Sequence, residues 1–207
     1  MGIVKLSTAG ILDYQKYSSM LAGNDPYIPP VLAYDLLETE ILTGSQASVT
    51  FSSLNSTYGA DYQHLEIRMT TRSTKDQTNQ DTIYAYLNAD TGSNYAWHRL
   101  YGDGSSVTSS SGSSASQARI GFTPANGASS TANGFAATIL TILDPFNTSK
   151  NTTLRSLNGS ATNDEAILLY SSLWNNTAAL TSIEIEPASD SWITGCRFSL
   201  YGLKKGA

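Results

Sequence analysis

The segment YQHLEIRMTTR, residues 62–72, decides the fold class because apolar and polar residues alternate along it. In an extended strand Leu65, Ile67 and Met69 share one face, and the polar residues between them share the other. One apolar and one polar face is typical of an antiparallel sheet that covers a core on one side only. We therefore predict a half-buried antiparallel strand over this segment.

Similar short runs follow one another from about residue 37 to the end, separated by turn signals and without a convincing helix. They are LLETEILTG, ASVTF, TIYAYLNA, YAWHRLYG, GFAATILTILD, NTTLRSLNG, EAILLYSSLW, ALTSIEIEP and ITGCRFSLYGL. The apolar run GFAATILTILD predicts a central strand covered on both sides, and the Ser/Gly-rich DGSSVTSSSGSSASQ predicts an exposed loop. About ten short strands indicate an all-β fold, an antiparallel β-sandwich, with a jelly roll as the expected wiring.

Residues 1–35 differ from this pattern, so we expect an N-terminal arm there and a β-sandwich domain over residues 36–207. The stretch GILDYQKYSSMLAGN has apolar residues at helical spacing, and the following NDPYIPP is extended and stiffened by proline. A single short helix cannot bury its apolar face alone. The arm is therefore expected to bind a partner through Ile11, Leu12, Tyr14, Tyr17, Met20, Leu21 and Tyr27.

Charge and cysteine content exclude several classes of protein. Only 14% of the 207 residues are charged, the net charge is -5, and no dense cluster of lysine and arginine is present. Nucleic-acid binding is therefore not expected. Cys196 has no second cysteine to pair with, so we expect a small core residue. Without a secretory signal or an apolar run of ~18–20 residues, the sequence predicts a soluble protein made in the cytoplasm, with no membrane partner.

Several blocks of the sequence resemble one family as a set. They are SVTFSSLNSTYGADYQHLEIRMTTRS, LNADTGSNYAWHRLYGDGSS, LDPFNTSKNTTLRS, LWNNTAALTSIEIE and FSLYGLKKG, with a weaker echo in the arm. With these blocks the chain resembles virion structural proteins of tailed bacteriophages, namely head decoration, cement and fibre proteins. The resemblance implies a β-sandwich, usually a homotrimer, that contacts the major capsid protein or other virion proteins and has no enzymatic role. A capsid decoration or cement protein is the favoured hypothesis, and a fibre tip that binds host glycans is the alternative.

The tetrapeptide Asp90-Thr91-Gly92-Ser93 is the one that aspartic proteases carry at their catalytic turn. Such an enzyme needs two carboxylates that share a proton, and a homodimer would have to supply the second. The same residues are ordinary hairpin chemistry, because Asp and Gly both tolerate left-handed backbone. We therefore expect a turn, and we expect His98 to be a strand histidine bonded to backbone.

Neither a metal site nor a cofactor site is predicted. Asp76, Asn79 and Asp81 share one turn, but their spacing is not that of an EF-hand. The tryptophans Trp97, Trp174 and Trp192 are expected first as core or interface residues and second as a platform for sugar rings.

Overall fold

The computed structural model describes residues 34–76, 80–126, 131–160 and 166–205. The expected arm and its seven partner-binding residues lie outside the described residues. The described part begins with the first strand of the sandwich, two residues before the start that the sequence predicts.

Within these ranges the chain forms twelve strands and one short helix. They are β1 (Tyr34–Ile41), β2 (Val49–Phe51), α1 (Leu54–Tyr58), β3 (Tyr62–Thr71), β4 (Asp81–Leu87), β5 (Tyr95–Gly102), β6 (Val107–Ala115), β7 (Ala118–Thr123), β8 (Ala136–Leu143), β9 (Thr152–Ser160), β10 (Ala166–Trp174), β11 (Ile183–Pro187) and β12 (Arg197–Lys204).

The strands form two antiparallel sheets that pack against each other, which confirms the predicted all-β sandwich. The large sheet has the order β1-β12-β3-β8-β9-β10-β5-β6, and the small sheet has the order β2-β11-β4-β7. The pairs β5–β6 and β9–β10 are consecutive in the chain and lie together on one side of β8. These four strands double the width of the large sheet.

The core lies between the inner faces of the two sheets. Leu65 and Ile67 of β3 are fully buried, and Met69 is nearly so, as the alternation in this strand predicts. Each fully buried side chain of this size contributes ~1.5–3 kcal/mol before the entropy of ordering it is subtracted. Cys196 is also buried, and its thiol donates to the Arg72 carbonyl at 3.3 Å.

The edge strand β7 of the small sheet packs against polar side chains on the inner face of the large sheet, which bond its backbone. Asn158 accepts from the Phe122 N–H at 3.1 Å and donates to the Phe122 carbonyl at 2.9 Å. Ser156 donates to the Ile120 carbonyl at 2.5 Å, and Ser172 donates to the Arg119 carbonyl at 2.8 Å. These three side chains are nearly fully buried, and they satisfy backbone groups that no strand covers.

Two local predictions were wrong. The Ser/Gly segment is not a loop but contains strand β6, which pairs along β5. The pairing runs through backbone hydrogen bonds, which serine supplies as well as valine does. Strand β8 is not covered on both sides, because Ala137 and Ile139 are exposed. The short elements β7 and α1 were not predicted.

Candidate interaction surface

Exposed aliphatic side chains concentrate on the outer face of the large sheet. We call one group of them the aliphatic patch, which lies on β5, β6, β8, β9 and β10. Their exposed fractions range from 41% to 79%, although they are large apolar residues. The patch consists of Leu100, Val107, Ile139, Leu157, Ile167 and Leu169.

The strand register makes the patch continuous. Ile139 pairs with Leu157, Leu157 with Leu169, and Leu169 with Leu100, so four aliphatic residues form one row across four strands. Directly opposed residues have Cβ atoms ~4.5–5.5 Å apart, close enough for adjacent side chains to touch. A neighbouring row has Ile167 between Gly159 and Gly102, and Gly102 pairs with Val107.

Next to the patch, the part of the same face on β3 and β12 is covered by its own side chains, although Leu36 and Ile41 are exposed on the edge strand β1. Arg68 donates to Glu66 at 2.8 Å, and its guanidinium lies 4.9 Å from the ring centre of Tyr201 and 5.7 Å from that of Tyr34. The Tyr34 hydroxyl also donates to Glu66 at 3.3 Å. Glu66 is only 6% exposed under this network. The patch has no such cover among the described residues.

An exposed aliphatic surface of this size indicates a contact site. Scattered exposed apolar residues are normal, whereas contiguous apolar patches rimmed by polar residues mark interaction surfaces. The rim here includes Thr141, Arg155, Ser171 and His98, which form the next row across the same strands. A shallow depression of about 300 Å³ lies between Leu100 and Leu169, so the surface has relief.

The patch was not predicted, although the sequence contains a signal for it. The run Ala166–Tyr170 has apolar residues at consecutive positions, and consecutive positions of a strand point to opposite faces. Such a run predicts a strand that is apolar on both faces. Ile139 and Leu140 of β8 give the same signal.

The Asp90-Thr91-Gly92-Ser93 stretch lies in the connection between β4 and β5, as predicted. The Asp90 carboxylate accepts from the Trp174 indole N–H at 2.7 Å, from the Gly92 N–H at 2.8 Å and from the Asn94 amide at 2.9 Å. The hydrogen bond from Trp174, together with those from Asn94 and Gly92, lowers the pKa of Asp90 although burial acts the other way. The carboxylate is therefore held charged by its neighbours.

Two further side chains hold this connection in place. The Tyr95 hydroxyl accepts from the Leu87 N–H and donates to the Asp90 carbonyl, both at 3.0 Å. Burial raises the pKa of Tyr95 to about 12. Asn88 has a positive φ of 52°, and its amide oxygen accepts from the Thr181 N–H at 2.7 Å. These contacts are those of a structural anchor between the β4–β5 connection and the residues before β11.

Two of the three tryptophans lie in the core and present no ring to a sugar or a partner. Trp174 and Trp192 are 1% and 0% exposed, and the Trp192 indole donates to the Ile185 carbonyl at 3.2 Å. Trp97 is half-buried, with the Arg119 guanidinium 4.5 Å from its ring centre. Gly112 lies against the same indole, since a Cβ at that position would be 2.7 Å from it.

The two histidines do not come together. His98 is exposed on the outer face of β5, and its predicted hydrogen bond to backbone is not found among the described residues. His64 lies on β3, where its Nδ1 accepts from the Asp144 N–H at 3.0 Å. Within the described ranges no group of three His, Cys, Asp or Glu residues is placed to hold a metal ion.

Asp81, which belongs to the acidic turn weighed as a metal site, is nearly fully buried beside Lys75, with 3.5 Å between carboxylate and ammonium. Burial raises the pKa of Asp81, and Lys75 acts against that shift.

In the part of the chain that the structure describes, no helix has the length and hydropathy of a membrane span.

Comparisons of this chain with protein-family models, with curated proteins and with solved structures find no match.

Proposed function

We propose that this chain is a non-enzymatic virion structural protein, a capsid decoration or cement protein of a tailed bacteriophage. In this proposal it is made in the bacterial cytoplasm and binds the phage head through its N-terminal arm and a trimeric β-sandwich. Its mechanism is contact area rather than chemistry.

The observation that carries the proposal is the placement of the aliphatic patch. Five of its six residues lie on β5, β6, β9 and β10, the strands that widen the large sheet. Exposed aliphatic side chains lower the solubility of a protein unless a partner covers them. Strands that add such a face fit a protein whose purpose is to contact other subunits.

The strand order supports a jelly-roll wiring, which we include in the proposal. Without the two added pairs, the sheets reduce to β1-β12-β3-β8 and β2-β11-β4-β7, each with four strands. Eight strands in two such sheets are the pattern of jelly rolls, which form viral capsid domains and also lectins. The strand order alone therefore fits both the favoured function and its alternative. Only the surface residues can distinguish a decoration protein from a glycan-binding fibre tip.

The hydrogen bonds of the Asp90 carboxylate favour a structural role for this residue over a catalytic role in a protease. A catalytic aspartate needs a carboxylate oxygen free to share a proton with its partner. Both oxygens of Asp90 accept hydrogen bonds, Oδ1 from Gly92 and Oδ2 from Trp174 and Asn94.

The alternative, a fibre tip that binds host glycans, has little tryptophan surface to use. With Trp174 and Trp192 buried, Trp97 is the remaining tryptophan, and one side of its ring faces Arg119. Binding to host cells that is competed by free sugar and lost in Trp97→Ala would favour this alternative. The aliphatic patch offers a sugar no aromatic ring to stack on.

The direct test is to image intact particles of the phage that encodes the chain. We expect sandwich-shaped density on the outside of the head, at junctions between capsid subunits. Particles purified free of unbound protein that lack the chain by mass spectrometry would contradict the proposal.

A second test concerns the arm. Leu21→Asp, which adds a charge on the expected apolar face, should reduce attachment to heads that lack the protein. Gln15→Asp adds the same charge to a polar position of the same segment and serves as the matched control. Equal attachment of both variants at wild-type occupancy would contradict the role of the arm.

A further inference from the structure

We infer that the aliphatic patch is covered by the same patch of a second copy of this chain, in a face-to-face pair of large sheets. The inference rests on the proposed function, because it supposes that the chain works through contacts between subunits. The inference goes beyond that function in naming the surface that is covered and the molecule that covers it.

The relief of the patch is complementary to itself. Ile167 is 69% exposed, and its direct cross-strand partner is Gly159. A Cβ built on Gly159 meets nothing within 4 Å, so the surface is hollow beside the protruding Ile167. A twofold axis between these two positions places each Ile167 over the Gly159 of the other copy. An isologous contact requires this reciprocity of knob and hollow.

The charge of the patch also favours a second copy. All six patch residues are neutral. The row beside them includes Arg155 and continues on β3 to Glu66, which is 6% exposed and accepts a hydrogen bond from Arg68. A face that meets its own copy brings each charge twice into the interface, so a neutral centre with charge at the rim is the favourable arrangement. A neutral centre gives a strongly acidic or basic partner nothing to pair with.

The area is sufficient for a stable pair. Five strands at a spacing of ~4.8 Å and a length of about eight residues at ~3.3 Å per residue give a plane of roughly 600 Å². Two such faces bury on the order of 1,200 Å² together, at the lower end of the range for specific interfaces. Aligned packing of two sheets at ~10 Å is a common arrangement for faces rich in leucine, isoleucine and valine.

The test measures the mass of the purified full chain in solution against concentration, by light scattering and sedimentation. Face-to-face pairing predicts twice the 22.1 kDa of the single chain, or a multiple of that pair. Ile167→Glu and Leu169→Glu each place an unpaired charge in the contact and should raise the dissociation constant of the pair at least ~30-fold. Both side chains are well exposed in the single chain, so the variants should keep the circular dichroism of the wild type, and their melting temperature should fall only by the amount that pairing contributes to it.

Ile41→Glu is the matched control. Ile41 is 53% exposed on the same face but on β1, at the opposite edge of the sheet from β6. This variant should pair like the wild type. If Ile41→Glu weakens pairing as much as Ile167→Glu, or if neither patch variant weakens it, the patch is not the contact and the inference is overturned.

The outcomes separate this inference from the proposed function. A trimer that both patch variants leave intact supports the proposed oligomer and overturns the face-to-face pair. A full-length monomer that pairs only after residues 1–30 are removed shows that the arm covers the patch, which also overturns the inference. Attachment to phage heads is a separate readout, so a monomer that still decorates heads supports the decoration role and contradicts the proposed trimer.

Discussion

At the scale of single residues, Asp90 belongs to a tetrapeptide that is catalytic in aspartic proteases, but here it makes structural hydrogen bonds. Its carboxylate binds the N–H of Trp174, a core residue 84 positions later in the chain. The turn itself was predictable from Asp and Gly in sequence. Its partner was not, because a hydrogen bond between distant segments exists only after the strands have paired.

Asp90→Asn should lower the free energy of unfolding by about 1 kcal/mol, because an amide oxygen still accepts from Trp174 but one charge-assisted bond is lost. Asp90→Ala leaves the buried indole N–H unpaired and should cost about 1–3 kcal/mol. The folded pKa of Asp90 is lowered, so its contribution is present above the unfolded pKa of ~3.9 and is lost as pH falls through the lower folded value.

The measurement is urea denaturation of wild type and variants between pH 7 and pH 3. The difference between wild type and Asp90→Asn should narrow toward pH 3. Asp61→Asn, at an exposed position, is the control and should change little. A stability difference that widens on acidification, or peptide cleavage by the wild type that Asp90→Asn abolishes, would show that Asp90 has another role.

At the scale of elements, β7 ends its sheet without exposing its edge to water. Asn158 of β9 takes the place of a neighbouring strand, because its amide group bonds both the N–H and the carbonyl of Phe122. The same amide donates to the Thr138 hydroxyl at 2.6 Å. A polar residue buried on the inner face of a strand therefore terminates the small sheet.

Asn158→Leu should cost about 2–4 kcal/mol, because two buried backbone groups and the Thr138 hydroxyl lose their partner, although the volume is nearly kept. The decrease is measured by chemical denaturation. Asn175→Leu is the matched control at an exposed position, where we expect a change within ~0.5 kcal/mol. Hydrogen exchange should locate the loss: the Phe122 amide should exchange faster in Asn158→Leu, and unchanged protection there would refute this account of β7.

The strands also show how far the sequence alone predicts the fold. β3 was predictable because its apolar and polar side chains alternate, and this alternation is visible within the ten residues of the strand itself. β6 was not, because Ser109, Ser110 and Ser111 carry no apolar period, and the strand exists through its pairing with β5. The patch was not predicted because a strand that is apolar on both faces does not indicate which of them faces the core: Leu168 and Tyr170 are buried, whereas Ile167 and Leu169 are exposed.

At the scale of the whole molecule, the two faces of the large sheet have different tasks. The inner face completes a core with the small sheet, and within the described ranges the buried residues of the main core cluster begin at Leu42. The outer face is polar and covered by its own side chains near β12 and β3, carries the exposed Leu36 and Ile41 on β1, and is aliphatic near β9, β10 and β5. Stability and contact are thus divided between the faces, so they can be changed separately.

A chain that starts at residue 31 should therefore fold like the full chain. Among the described residues, the core cluster and the side chains packed against it begin at Leu37, so we expect a cooperative thermal transition shifted by no more than ~2–4 °C, which corresponds to ~1 kcal/mol. A chain that starts at residue 43 is the matched control, because it also removes β1. It loses Leu37 and Leu42 from the core and the 2.8 Å hydrogen bond from Tyr62 to Asp35, so it should melt much lower.

Both truncations are compared in the Ile167→Glu background as well, so that pairing between copies does not contribute to the melting temperature. If the chain starting at residue 31 loses its cooperative transition or binds a hydrophobic dye at 25 °C, the sandwich depends on the first thirty residues. Contact through the arm and contact through the patch would then be two parts of one folding unit, and the division between inner and outer face would not hold.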